Sequence, residues 1–152
     1  MGSLNRSSTL AAITFALLSV VIGQSASADN VVIVNINNSY TANEDTMRKV
    51  VKRLFLKQQS TWPDGTNAKS FDRRKASAEQ QAFNSTVLGM DDAVIARHWL
   101  SLKQTTGETP PRTVGSTNML AKFVAKYDGA FGVVAESELG SLSDRVRVLF
   151  KF

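Results

Sequence analysis

The stretch STNMLAKFVAKYDGAFGVVA, residues 116–135, changes period in mid-course. Its first part repeats apolar side chains at helical spacing, with Met119, Leu120, Phe123, Val124 and Tyr127 on one side. Ser116 stands where an N-cap belongs, because a hydroxyl there accepts from a free N–H of the first turn. Gly129 reads as the stop of the helix. Ala130 to Ala135 is then a short apolar run with adjacent valines, which reads as a strand. A helix that hands over directly to an apolar strand is the building unit of a layered α/β domain.

The same alternation runs outward from this stretch. Val31-Val32-Ile33-Val34 is a β-branched run and reads as a strand. From Glu44 to Leu56, Met47, Val50, Val51, Leu54 and Phe55 keep helical spacing, behind an Asn43 cap and with Glu44 and Asp45 in the first turn. Trp62-Pro63-Asp64-Gly65 has turn chemistry. Ala68 to Asp72 reads as a short strand. Ser77 to Leu88 reads as a helix with Phe83, Val87 and Leu88 inward, a Ser77–Gln80 capping box and Gly89 at its end. Asp91 opens a helix to about Lys103, with Val94, Ile95, Trp99 and Leu102 on one face and His98 at its edge. Residues 105–115 read as a loop marked by Gly107, Pro110 and Pro111. At the C-terminus Val146, Val148, Phe150 and Phe152 alternate with Arg147 and Lys151, the pattern of a half-buried strand. The expected fold class is α/β: a single three-layer lobe, a mixed sheet flanked by helices.

The first 28 residues have a different character. Arg6 precedes an apolar run from Leu10 to Gly23, too short for the roughly 20 residues of a bilayer-spanning helix. Ala26-Ser27-Ala28 follows as an A-x-A pattern. Together these predict a secretory signal peptide over residues 1–28, cleaved after Ala28, and a single domain over 29–152. The expected location is the periplasm of a Gram-negative bacterium, with no membrane insertion after cleavage. The chain has no cysteine, so a disulfide-stapled secreted fold is excluded.

Net charge is +5. The basic residues are dispersed, and no basic stripe interleaved with aromatics appears, so no nucleic-acid partner is expected. With one histidine and no cysteine, a site of the zinc or iron type is not expected, and no cofactor is assigned. No Gly-rich nucleotide loop and no Gly-x-Ser-x-Gly elbow is present. His98 beside Trp99 reads as an edge-of-core histidine, and Asp91-Asp92 as helix-start residues. The expected protein is not an enzyme.

Three stretches carry a resemblance. They are Arg53-Leu54-Phe55-Leu56-Lys57 with Thr61-Trp62-Pro63-Asp64-Gly65; Phe71-Asp72-Arg73 through Ser77 to Phe83, with Val87-Leu88-Gly89-Met90; and Thr106-Gly107, Pro110-Pro111, Val114-Gly115-Ser116, then Asp128-Gly129-Ala130-Phe131-Gly132-Val133-Val134. In this order they resemble the phosphate-type substrate-binding proteins of bacterial ABC importers, closest to short PstS-like relatives, over about Val31 to Val134. The resemblance implies one lobe of a type II periplasmic binding protein. It also implies an oxyanion site on an arginine followed four residues later by a serine at a helix start, here Arg73 and Ser77. Arg74 and Ala78 complete the candidate set. An arginine offers a planar fork of donors to phosphate oxygens, and a helix start favours an anion.

The chain departs from the family pattern around this site. The family's Gly-Ser-Gly-Thr is Ala76-Ser77-Ala78-Glu79 here, and Lys75 takes a position that is often acidic. Alanine restricts backbone approach to a ligand, and Glu79 competes with an anion. Full binding proteins have about twice this length, so a lone lobe would leave its ligand half exposed. Two functional classes follow. The first is a periplasmic module that binds phosphate or a similar oxyanion for ABC-type uptake or sensing, with an ABC permease as partner. The second is an envelope interaction or scaffold protein that has lost its ligand. Pairing of two copies to rebuild a cleft is a further expectation.

Overall fold

In the computed structural model, residues 29–152 are described. The signal peptide read over 1–28 lies outside the described residues. β1 (Asn30–Asn35) is buried at every position, which a strand achieves only inside a sheet covered on both faces. Its neighbours are β4 (Ala130–Ala135) and β5 (Val146–Lys151), both antiparallel to it. β2 (Lys69–Arg73) runs parallel to β4 on one side and to β3 (Arg112–Val114) on the other. The five-stranded mixed sheet has the order β3-β2-β4-β1-β5.

Helices cover both faces. α1 (Glu44–Phe55) lays Met47, Val50, Val51, Leu54 and Phe55 on Val32, Val34, Phe131 and Val133. Burying each such side chain contributes roughly 1.5–3 kcal/mol. Asn43 caps α1 by accepting from the Thr46 N–H at 2.9 Å, as its sequence position predicts. On the opposite face α4 (Thr117–Lys126) sets Leu120 and Val124 against Val31, Ile33 and Val134. The sequence thus builds the three-layer lobe it predicts.

Several elements differ from their sequence reading. The helix read over 77–88 is α-helical only in α2 (Ala78–Ala82) and continues as a π-helical turn (Phe83–Leu88). Phe83, Val87 and Leu88 still face inward, and Gly89 ends the turn at φ 62°, a left-handed geometry that glycine adopts without strain. α3 (Asp92–Thr106) runs further than read and is capped by Asp91, but of its apolar face only Trp99 is buried. The segment read as a loop before Ser116 contains the edge strand β3, because parallel pairing with β2 satisfies its backbone. Met119 faces solvent rather than the core, and Ala121 and Ala125 take inward positions instead. Gly129 does not terminate α4 through a left-handed residue. It is glycine because a Cβ there would come within 1.9 Å of the Asn67 carbonyl oxygen. In β5 a register shift opposite Val32/Ile33 breaks the alternation, so Leu149 and Phe150 are both buried while Val148 is exposed.

Trp62, read only as part of a turn, is among the largest fully buried side chains. Its indole packs edge-on to Phe131 and donates Nε1–H to the Gly129 carbonyl at 2.9 Å. A turn residue thereby joins the core that α1 and β4 share.

Candidate functional site

The end of β2 divides the chain's polar groups between the two faces of the sheet. Successive side chains of a strand point to opposite faces. Phe71 joins the α4-side core, so Arg73 belongs to that face and Asp72 to the other.

Arg73 is buried, with only 6% of its surface exposed. Its Nη2 donates to Glu79 Oε1 at 2.9 Å, and both side chains of this ion pair are largely out of solvent. Nε and Nη1 are buried without a hydrogen-bond partner among the described residues. Unpartnered guanidinium N–H groups out of water cost free energy.

The chain turns directly after Arg73, where the Ser77 N–H donates to the Arg74 carbonyl at 2.9 Å. Ser77 caps α2, accepting from the Gln80 N–H at 3.3 Å. The second half of the expected capping box is not made. Gln80 turns away from the cap, and its Oε1 accepts from the Arg73 backbone N–H at 2.9 Å. Gln80 therefore ties Arg73 and Ser77 into one unit. Ala78, the first residue of α2, is exposed. Arg74 is exposed and lies along Gly115, where a Cβ would meet its guanidinium at 2.9 Å. Of the four candidate residues, Arg73 and Ser77 are coupled, Ala78 flanks them at the helix start, and Arg74 bridges toward the cap of α4.

On the opposite face lies a group of residues that motif reading passed over. Gln80 Nε2 donates to Asn84 Oδ1 at 2.9 Å, and Asn84 Nδ2 donates to Asp92 Oδ1 at 3.2 Å. This chain links β2 to the start of α3 through the π-helical turn. Asp72 lies beside it, and burial pushes its carboxyl up to about 6. The Arg73 N–H and Lys75 oppose that rise, and Asp92 reinforces it. Asp72 Oδ1 has no hydrogen-bond partner among the described residues. The available clue in the sequence was Asn84, a polar residue on the inward side of an apolar helix face. His98 accounts for itself, with Nε2 2.9 Å from the Leu56 carbonyl, as an edge-of-core histidine should. Of the two acidic residues read as helix-start residues, Asp91 caps α3 on the Val94 N–H at 2.8 Å and Asp92 holds Asn84. Among the described residues no group of three His, Cys, Asp or Glu side chains could hold a metal ion. No helix among them is long and apolar enough to cross a membrane.

No family model matches the chain, and no curated protein matches its sequence. Solved structures do match its fold. An ABC-type phosphate transport receptor from Vibrio cholerae superposes with a TM-score of 0.58 at 18% identity, covering 81% of this chain and 46% of that one. A protein described as a phosphate ABC transporter substrate-binding protein, with bound phosphate, from Clostridium perfringens gives 0.56 at 16% identity, over 81% and 45% of the two chains. A phosphate-binding-type protein from Planctomyces limnophilus gives 0.51 at 12% identity, over 80% and 41%. The chain spans less than half the length of these structures. Its mixed sheet and flanking helices are therefore the fold of a single lobe of the phosphate-binding proteins of ABC transporters.

Proposed function

We propose that this chain is a solute-binding module of the bacterial envelope that takes phosphate or a similar oxyanion at Arg73 and Ser77. The observation that carries this reading is the Arg73 guanidinium, buried and with Nε and Nη1 unpartnered. A tetrahedral oxyanion supplies acceptors in the spacing that an arginine fork matches. Ser77 adds a hydroxyl, and the first N–H groups of α2 have no acceptor within the helix. The single-lobe fold, shared with phosphate receptors, agrees with this. In this reading residues 1–28 direct export to the periplasm, and the partner is an ABC permease or an envelope sensor.

Glu79 sets the affinity. Its carboxylate already holds one Arg73 Nη at 2.9 Å, so an incoming anion meets a like charge. That same contact favours the second reading, an envelope interaction protein in which Glu79 has permanently replaced the ligand. Calorimetric titration of phosphate and sulfate separates the two. The binding module gives saturable heat in the wild type, tighter binding in Glu79→Gln and a loss in Ser77→Ala and Arg73→Gln. Absence of heat at millimolar anion in both wild type and Glu79→Gln removes the binding reading.

A further inference from the structure

A cavity of about 220 Å³ opens between α3, the β2–α2 corner and Pro110. It lies on the sheet face away from the Arg73 guanidinium and does not share its lining. Its walls are mainly apolar: Phe55, Ile95, Ala96, Trp99 and Pro110. Its polar end is ordered. Gln80 and Asn84 are buried and spend their amides on each other, on the Arg73 N–H and on Asp92. Asp72 Oδ1 is the exception, a buried acceptor in the cavity lining with no donor among the described residues.

We propose that this cavity binds a small organic ammonium ion with an apolar tail, whose N–H groups donate to Asp72 while the tail lies against Trp99, Phe55 and Ile95. The charges that face it are Asp72, Asp92 and Lys75, so two carboxylates stand against one ammonium. That balance selects a cation over an anion. A buried carboxylate oxygen without a donor is costly, and an incoming N⁺–H group relieves that cost with a charge-assisted bond. The volume is below the roughly 300–1,000 Å³ of pockets for drug-sized ligands, which restricts the occupant to a small molecule. The apolar lining calls for a hydrocarbon or aryl tail rather than a hydrated metal ion. Burial pushes the Asp72 carboxyl up to about 6 against the pull of Lys75, so binding is stronger above about pH 6 than below.

The test uses phenethylammonium chloride as probe, followed by heat and by amide chemical shifts at pH 7.5. The expected result is saturable binding with shifts confined to the segments around Phe55, Asp72, Asn84 and residues 92–99. Asp72→Asn keeps the shape and removes the charge, and it should weaken binding about tenfold or more. Ala96→Phe, which fills the cavity, should abolish it, and neutral 2-phenylethanol should bind as weakly as the probe does to Asp72→Asn. No saturation by about 20 mM, or equal binding by Asp72→Asn, overturns the proposal. So does an identical shift pattern produced by magnesium chloride. The site is independent of the oxyanion reading: amine binding by the wild type should persist even where phosphate gives no heat.

Discussion

At the scale of single residues, Asp72, Arg73 and Glu79 show how one strand end distributes charge. Arg73 and Glu79 form a buried pair, and such pairs are strained by desolvation as much as they are held by attraction. Replacing Glu79 with Gln leaves the guanidinium without a counter-charge. The expected outcome is a lower melting temperature without anion and a larger rise on adding phosphate than the wild type shows, read by thermal denaturation in a phosphate series. Asp72 behaves in the opposite sense to a salt-bridged carboxylate. Its folded pKa of about 6 lies above the ordinary 3.8, so the native state holds the proton more tightly than the unfolded chain. Its stabilising contribution is full below about pH 4 and is lost as pH rises through 6. Asp72→Asn should therefore be near neutral at pH 4 and stabilising by about 1–2 kcal/mol at pH 8, after discounting for solvent screening at a half-buried group. Urea unfolding at the two pH values measures this. The four-residue spacing of Arg73 and Ser77, with an acidic Glu79 beside them, was legible in the sequence; the Arg73–Glu79 ion pair was not. The partner of Gln80 was not, because a capping box and a side chain reaching back to a strand N–H share one sequence pattern.

At the scale of elements, the π-helical turn decides where α3 stands. Asn84 sits within it and bonds both Gln80 and Asp92, so the turn connects β2 to α3. Period counting assigns this segment to an α-helix, since Phe83, Val87 and Leu88 satisfy helical spacing in either geometry. Asn84→Ala should cost about 1–3 kcal/mol, because it leaves Gln80 Nε2 and Asp92 Oδ1 short of a partner. Chemical denaturation reads that cost, and amide exchange should show the protection of α3 falling more than that of β1. β3 was illegible for a related reason. Three residues carry no period, and only pairing with β2 makes them a strand.

At the scale of the whole molecule, the two cores explain why the α/β class was plain from sequence. β1 and β4 present alternate residues to α1 on one face and to α4 on the other, and both helices advertise those faces by spacing. The glycine at 129 and Trp62 belong to this scale, since each is set by a contact with a segment distant in sequence. Trp62→Ala should destabilise by about 3–5 kcal/mol, the usual cost of emptying a buried aromatic position, as read by urea unfolding.

The central claim is that the buried, half-paired Arg73 is an oxyanion site. The most direct measurement is calorimetric titration of phosphate into the wild type, Ser77→Ala, Arg73→Gln and Glu79→Gln, each checked for native circular dichroism. The account predicts saturable binding in the wild type, a gain of roughly tenfold in Glu79→Gln from removal of the competing charge, and a loss in Ser77→Ala and Arg73→Gln. Absence of binding in both wild type and Glu79→Gln, or binding indifferent to Arg73→Gln, contradicts it.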